Sequence, residues 1–151
     1  MKTLAAGQTA PDFELPDQDG MVRRLGTLVE DGPVVLFFYP AAMTAGCTKE
    51  ACHFRDLGAE FAEAGVQRIG ISTDGMEKQA EFSAKHGFDY PLLADVGGEV
   101  AASYGVKRSL IGKAKRSTFV IGRDRSIVKV ISSELNMNVH ADEALAAARA
   151  S

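Results

Sequence analysis

Pro33-Val34-Val35-Leu36-Phe37-Phe38-Tyr39 is a continuous apolar run, closed by Pro40. It is short and rich in β-branched and aromatic side chains, so it reads as a buried central strand. Pro40 ends it. Downstream, Thr44 to Ala64 reads as one helix: Ala51, Phe54, Leu57, Phe61 and Ala62 recur at helical spacing, with charged residues between them. Gly65 is a natural residue to follow a helix C-terminus. Val66 to Ser72 then gives a second strand of parallel type. Asp74 with Glu77 resembles a capping box opening a helix to about Lys85, which Gly87 stops. Upstream, Phe13-Glu14-Leu15 and Met21 to Leu25 flank the turn signal Asp17-Gln18-Asp19-Gly20 and predict a hairpin.

Further along, Pro91 to Ala94 reads as a short strand and Glu99 to Tyr104 as a short helix closed by Gly105. Ser117 to Ile121 and Ile127 to Ser132 flank Gly122-Arg123-Asp124-Arg125 and predict a second hairpin, and Ala141 to Ala150 an Ala-rich terminal helix. That order predicts an α/β fold: a thioredoxin-like sandwich with a central mixed sheet flanked by helices, preceded by an N-terminal β-hairpin. The 151 residues fit a single domain, 1–151, large enough to bury a core without disulfide staples. Apolar residues make up 46% and there is no Trp, so the core rests on Phe, Leu, Val and Ile. A net charge of -3 argues against nucleic acid as the main partner. No apolar stretch is long enough to span a bilayer, and Leu4-Ala5-Ala6 is too short for a signal-peptide core, so no membrane partner and a cytoplasmic location are expected.

In a reducing compartment structural disulfides are rare. Two cysteines five positions apart, Cys47 and Cys52, therefore suggest chemistry before architecture. Cys47 falls in the first turn of the expected helix. There, unpaired N–H groups and a partial positive charge favour a thiolate, the reactive form of cysteine. Thr44, three residues earlier, is placed to turn its hydroxyl toward the sulfur or a bound oxygen.

The spacing Pro40-x-x-x-Thr44-x-x-Cys47 resembles the active-site motif of the peroxiredoxins. Glu50 stands where that family often has a glutamate. Cys52 looks like the resolving cysteine of the bacterioferritin-comigratory-protein, or peroxiredoxin Q, subfamily, and Arg116 in Lys115-Arg116-Ser117-Thr118 resembles the family's active-site arginine. Ala10-Pro11-Asp12-Phe13 and Tyr90-Pro91-Leu92-Leu93-Ala94-Asp95 are similar to that subfamily too, while Ala45 departs from its frequent proline. The resemblance implies a thiol peroxidase without cofactor or metal. Cys47 would be oxidised by peroxide to a sulfenic acid, and Cys52 would close a disulfide with it. Arg116 would stabilise developing charge, Thr44 and backbone N–H groups would hold the peroxide, Pro40 would shield the sulfur and Glu50 would position Arg116. The implied partners are peroxides and a thioredoxin-like reductant; a monomer or weak homodimer is expected.

On one regular helix, five residues span about 7.5 Å of rise and about 140° of rotation, which puts the two Cα atoms roughly 8–9 Å apart. Bridged cysteines need about 7 Å or less. The helix start is therefore expected to unwind before a disulfide closes, helped by Gly46 and Ala45. A disulfide oxidoreductase is disfavoured because Cys47-Thr48-Lys49-Glu50 lacks the second cysteine of Cys-x-x-Cys. A redox sensor or holdase using the same disulfide as a switch is the alternative reading. His53 reads as an exposed helical residue, and His86 and His140 as isolated; with the cysteines they match no usual zinc spacing.

Overall fold

The computed structural model describes residues 2–108 and 112–150, and it turns the apolar run into the middle strand of a mixed sheet. Met1 and Ser151, the ends of the expected domain, lie outside the described residues. The strands are β1 (Glu14–Pro16), β2 (Val22–Arg24), β3 (Val34–Phe38), β4 (Gln67–Ser72), β5 (Leu92–Ala94), β6 (Ser117–Ile121) and β7 (Ile127–Ser132). The helices are α1 (Leu25–Leu28), α2 (Ala45–Asp56), α3 (Gly58–Ala64), α4 (Met76–His86), α5 (Glu99–Ser103) and α6 (Met137–Ala150). The main sheet runs β5-β4-β3-β6-β7, parallel from β3 to β5 and antiparallel through β6 and β7; β1 and β2 form the separate hairpin. The mixed sheet with flanking helices and an N-terminal hairpin is the thioredoxin-like arrangement the element order predicts. Among the described residues, no helix is long and apolar enough to cross a membrane.

Alternation along β3 sets the two layers. Val35, Phe37 and Tyr39 face Cys47, Ala51 and Phe54 of α2, Phe61 of α3, and Ala141, Ala144 and Leu145 of α6. Val34, Leu36 and Phe38 face the other way, onto Phe13, Leu25, Tyr104 and Phe119. Both faces are covered, so every β3 side chain is buried and the run carries no polar residue. Phe37 stacks on Phe54 at 4.1 Å between centroids and 7° between planes, seating α2 on the central strand. The ring lies beside Gly70, its register partner on β4, where a Cβ would come 2.9 Å from Phe37 Cζ. Full burial of each such ring contributes roughly 2–3 kcal/mol.

Four of the expected boundaries move for an identifiable local reason. The helix over 44–64 is two helices, broken at Leu57 (φ -90°, ψ 15°). Arg68 Nη1 donates to the Phe54 carbonyl at 2.9 Å, the acceptor that residue 58 would use in a continuous helix. Gly58 leaves room for that guanidinium and for Asp89, both 3.3 Å from where a Cβ would stand. Asp74 does not cap α4; Gly75 occupies the cap position, and the Asp74 carboxylate turns to the loop after β3 instead. The strand expected to run to Leu25 stops at Arg24, and Leu25 begins α1. Helix α6 starts at Met137 rather than Ala141, because the Asn136 side chain accepts the Val139 N–H and supplies a start signal ahead of the Ala-rich stretch.

Candidate active site

The loop leaving β3 carries the chain from the middle of the sheet to the start of α2. Tyr39 is its last fully buried residue and Pro40 follows half-buried. Met43 turns the loop at φ 70°, a left-handed conformation uncommon for a side chain of this size. A polar scaffold lies beneath it. The Ala42 N–H donates to Asp74 Oδ2 at 2.7 Å, and the Ser72 hydroxyl donates to the same oxygen at 2.7 Å. Gln79 donates to Ser72 Oγ and to the Leu93 carbonyl, and its carbonyl oxygen accepts the Tyr39 hydroxyl. The loop is thus tied to the C-terminal end of β4 and to α4.

Cys47 sits in the first turn of α2 and is buried, 1% exposed. Arg116, immediately before β6, reaches it across the sheet: Nη2 lies 3.5 Å from Cys47 Sγ, and Nη1 donates to Glu50 Oε1 at 2.7 Å. The Arg116 backbone N–H donates to the Glu134 carboxylate, which also pairs with Arg108 at 2.9 Å. Glu50 and Cys47 are one helical turn apart, so one planar guanidinium spans both. Burial works against the Arg116 charge, but Glu50 and Cys47 more than offset it and leave the guanidinium above its ordinary value. Gly46 gives it space: a Cβ there would stand 3.2 Å from Arg116 Nη2 and 3.4 Å from Met137 Cε.

Glu50 is fully buried. Burial pushes its carboxyl up to about 8, more than Arg116 pulls it down. Its second oxygen, Oε2, has no hydrogen-bond partner among the described residues and faces His140 Nδ1 of α6 at 3.6 Å. His140 is not isolated, as its sequence neighbours suggest, but fully buried, with Nδ1 2.8 Å from the Thr118 hydroxyl and Nε2 2.8 Å from the Ser133 carbonyl. Nor does His53 stand alone; its Nε2 lies 2.7 Å from Asp142 and ties α2 to α6. The Thr44 hydroxyl donates to the Ala41 carbonyl at 2.8 Å rather than turning to the sulfur, because the helix leaves it exposed at the N-cap position. Cys52 is a free, half-buried thiol five residues further along α2, and burial pushes it above its ordinary value.

The structure therefore joins Cys47, Arg116 and Glu50, places Pro40 and Thr44 on the loop leading to them, and keeps Cys52 further along the same helix. It adds residues the sequence did not single out for the site: His140, Thr118, Asp74, Gln79 and Met137. Asp74 carried a signal that was assigned to capping; His140 carried none, since its partners come from α2, β6 and the loop before α6.

A thioredoxin-like sheet with a buried cysteine at a helix start, under a guanidinium held by a buried carboxyl, defines a class of thiol-based peroxidases. Residues 6–130 match the AhpC/TSA family. A Mycobacterium tuberculosis protein named as a peroxiredoxin is 63% identical over 150 residues, covering 97% of each chain. The crystal structure of the peroxidoxin BcpB from M. tuberculosis superposes with a TM-score of 0.94 at 62% identity, again over 97% of both chains. A Xanthomonas campestris bacterioferritin comigratory protein, described for its alkyl peroxide reduction activity, superposes at 0.84 with 28% identity over 98% of this chain and 96% of that one. The chain belongs to the AhpC/TSA family and, within it, to the peroxiredoxins of the bacterioferritin-comigratory, or peroxiredoxin Q, kind: it is a peroxidase, an oxidoreductase.

Proposed function

We propose that this enzyme reduces hydrogen peroxide and organic hydroperoxides at Cys47, resolves the product with Cys52 inside the same chain, and is recycled by thioredoxin or a similar dithiol. The observation that carries the reading is the 3.5 Å approach of Arg116 Nη2 to Cys47 Sγ at the start of α2. The Cys47 thiolate attacks one peroxide oxygen, the O–O bond breaks, and the other oxygen leaves with a proton as water or an alcohol. Cys47 becomes a sulfenic acid. Arg116, with Nη2 at 3.5 Å from the sulfur, stabilises the charge that moves onto the peroxide oxygens. Free N–H groups of Gly46 and Cys47 hold the peroxide, joined by Thr44 once its hydroxyl leaves the Ala41 carbonyl; Pro40 shields the sulfur; Glu50 positions Arg116. Cys52 then condenses with the sulfenic acid, expelling water and forming the disulfide. The alkyl peroxide reduction described for the Xanthomonas protein supports organic hydroperoxides as a substrate class.

The test is rapid mixing with one equivalent of peroxide, followed by mass spectrometry. The native protein should consume peroxide rapidly and yield a Cys47–Cys52 bridge within one chain. Consumption no faster than by Cys47→Ser removes the peroxidase assignment to Cys47; a bridge between chains removes the intramolecular step.

A further inference from the structure

The backbone between β3 and α2 is held at one point. Tyr39 N–H donates to the Ile71 carbonyl at 3.1 Å, and the first helical bond of α2 runs from Thr48 N–H to the Thr44 carbonyl at 2.9 Å. Between them, Ala42 N–H on Asp74 Oδ2 at 2.7 Å is, among the described residues, the hydrogen bond that joins the loop backbone to another element. The Thr44 hydroxyl bonds inside the loop, to the Ala41 carbonyl. The Asp74 carboxylate is in turn held by a chain of donors that runs in one direction. Gln79 Nε2 donates to the Leu93 carbonyl, an acceptor only, which fixes the amide and leaves Gln79 Oε1 to accept the Tyr39 hydroxyl. The same Nε2 donates to Ser72 Oγ at 3.1 Å, and Asp74 N–H reaches that oxygen at 3.3 Å. The Ser72 proton is therefore left for Asp74 Oδ2 at 2.7 Å. Tyr39, Ser72 and Gln79 are all buried. Asp74 Oδ2 thus takes two donors, one from this buried chain and one from the loop.

We infer that Asp74 is a positioning residue of the peroxide site: by fixing the Ala42 N–H to the Ser72–Gln79–Tyr39 network, it sets where the turn at Met43 delivers Cys47 to Arg116. This rests on the reading of Cys47 and Arg116 as the reacting pair. The path from the anchor to the sulfur is short. Ala42 is buried in the same apolar cluster as Cys47. Met43 turns the chain at φ 70°, and Thr44 then stands at the start of α2. A displacement at Ala42 is passed through that turn to Gly46 and Cys47, where a sulfur 3.5 Å from Arg116 Nη2 tolerates little error. The anchor also lies ahead of the helix start that is expected to unwind when the disulfide closes. Ala42 is then the fixed side of a joint at Met43, and the first turns of α2 are its moving side.

The direct test is amide hydrogen exchange of the native protein. The Ala42 N–H should be protected well above those of Met43 and Thr44, and should stay protected in the disulfide form. An Ala42 amide that exchanges as fast as that of Thr44 in either redox state overturns the inference, whether or not any variant folds. The second readout is the rate of Cys47 oxidation together with the pH profile of Cys47 alkylation. Asp74→Ala should slow oxidation about tenfold and move the profile to higher pH, because the sulfur no longer meets Arg116 and the first-turn N–H groups in register. A residue that merely braced the turn between β4 and α4 would lower stability without moving that profile. Asp74→Asn is equally uncharged but keeps an oxygen for both donors, so it should recover most of the rate. In an Arg116→Met background Asp74→Ala should cost much less than in the native protein, because both act on one contact. An alanine variant with the native rate and profile, or an asparagine variant no faster than the alanine one, also overturns it. Loss of the peroxidase reading itself is seen separately, as Cys47→Ser consuming peroxide at the native rate, since Ala42 exchange in the reduced protein is read without peroxide.

Discussion

Arg116 touches two partners with one rigid group, and that makes it the most sensitive residue in the site. Its Nη1 is fixed by Glu50 Oε1 at 2.7 Å, which leaves Nη2 little freedom over the sulfur at 3.5 Å. Arg116→Lys keeps the charge but has a single donor centre, which cannot span Glu50 and Cys47 together. Stopped-flow measurement of Cys47 oxidation should therefore show about a hundredfold loss for Arg116→Met and a loss nearer to it than to the native rate for Arg116→Lys. A lysine variant oxidised as fast as the native protein would show that charge alone suffices. Gly46→Ala tests the same geometry from the opposite side. Its Cβ would press on Nη2 at 3.2 Å, and Glu50 prevents that group from yielding. Oxidation should slow about tenfold while the melting temperature changes little. Cys47 at a helix start behind Thr44 is legible in one dimension, whereas Glu50 and Arg116 are reached only through the resemblance to the peroxiredoxin motif; the structure brings these two to Cys47. The orientation of Thr44 and the burial of His140 beside Glu50 are not legible, because a hydroxyl's rotamer and a contact between α2, β6 and α6 depend on packing that no local pattern encodes.

At the scale of elements, α2 is held unevenly. Its C-terminal half is tied down by the Tyr90 hydroxyl on the Ala51 carbonyl (2.7 Å), Arg68 on the Phe54 carbonyl (2.9 Å), Arg55 on the His86 carbonyl (2.7 Å) and the Phe37–Phe54 stack. Its N-terminal turn has no side-chain cap at Thr44, and its polar side chains, Cys47 and Glu50, are held by Arg116. The weak end is the end that carries Cys47. Bridging to Cys52 needs Cα atoms closer than a regular helix allows, so the disulfide should form by unwinding the first turns of α2, not the last. That unwinding also frees Cys52, whose thiol burial holds above its ordinary value. Amide exchange should lose protection over residues 45–53 in the disulfide form and keep it at Leu57 and beyond; equal protection in both redox states would sink this idea. The periodicity that predicted one helix over 44–64 missed the break because Gly58 is tolerable within a helix. What breaks it is Arg68, which arrives from β4 to take a carbonyl.

For the molecule as a whole, the layer order follows from β3 alone, whose alternating side chains feed two separate cores. The fold was readable for that reason: an all-apolar strand must be central, and helices must cover both of its faces. The cost of the active site was not readable, since it depends on how deeply Glu50 and His140 are buried against each other. It surfaces in the pH dependence of stability. Burial raises Glu50 from 4.5 to about 8, so between those values the folded state binds more protons than the unfolded one and stability falls as pH rises. His140 acts in the opposite sense: its folded value lies below 6.5, so its contribution is complete above 6.5 and is lost as the pH falls through the lowered value. Below 6.5 the two slopes oppose each other, and from 6.5 to about 8 the Glu50 slope stands alone. Over that interval the loss amounts to about 2 kcal/mol, at roughly 1.4 kcal/mol per pH unit. Urea unfolding of the reduced protein at pH 6.5 and pH 8 should show a lower midpoint at the higher pH with an unchanged slope. Glu50→Gln, which cannot ionise, should flatten the difference between the two. A native protein equally stable at both values, or a glutamine variant that keeps the full difference, would place the titrating group elsewhere than in the carboxyl that holds Arg116.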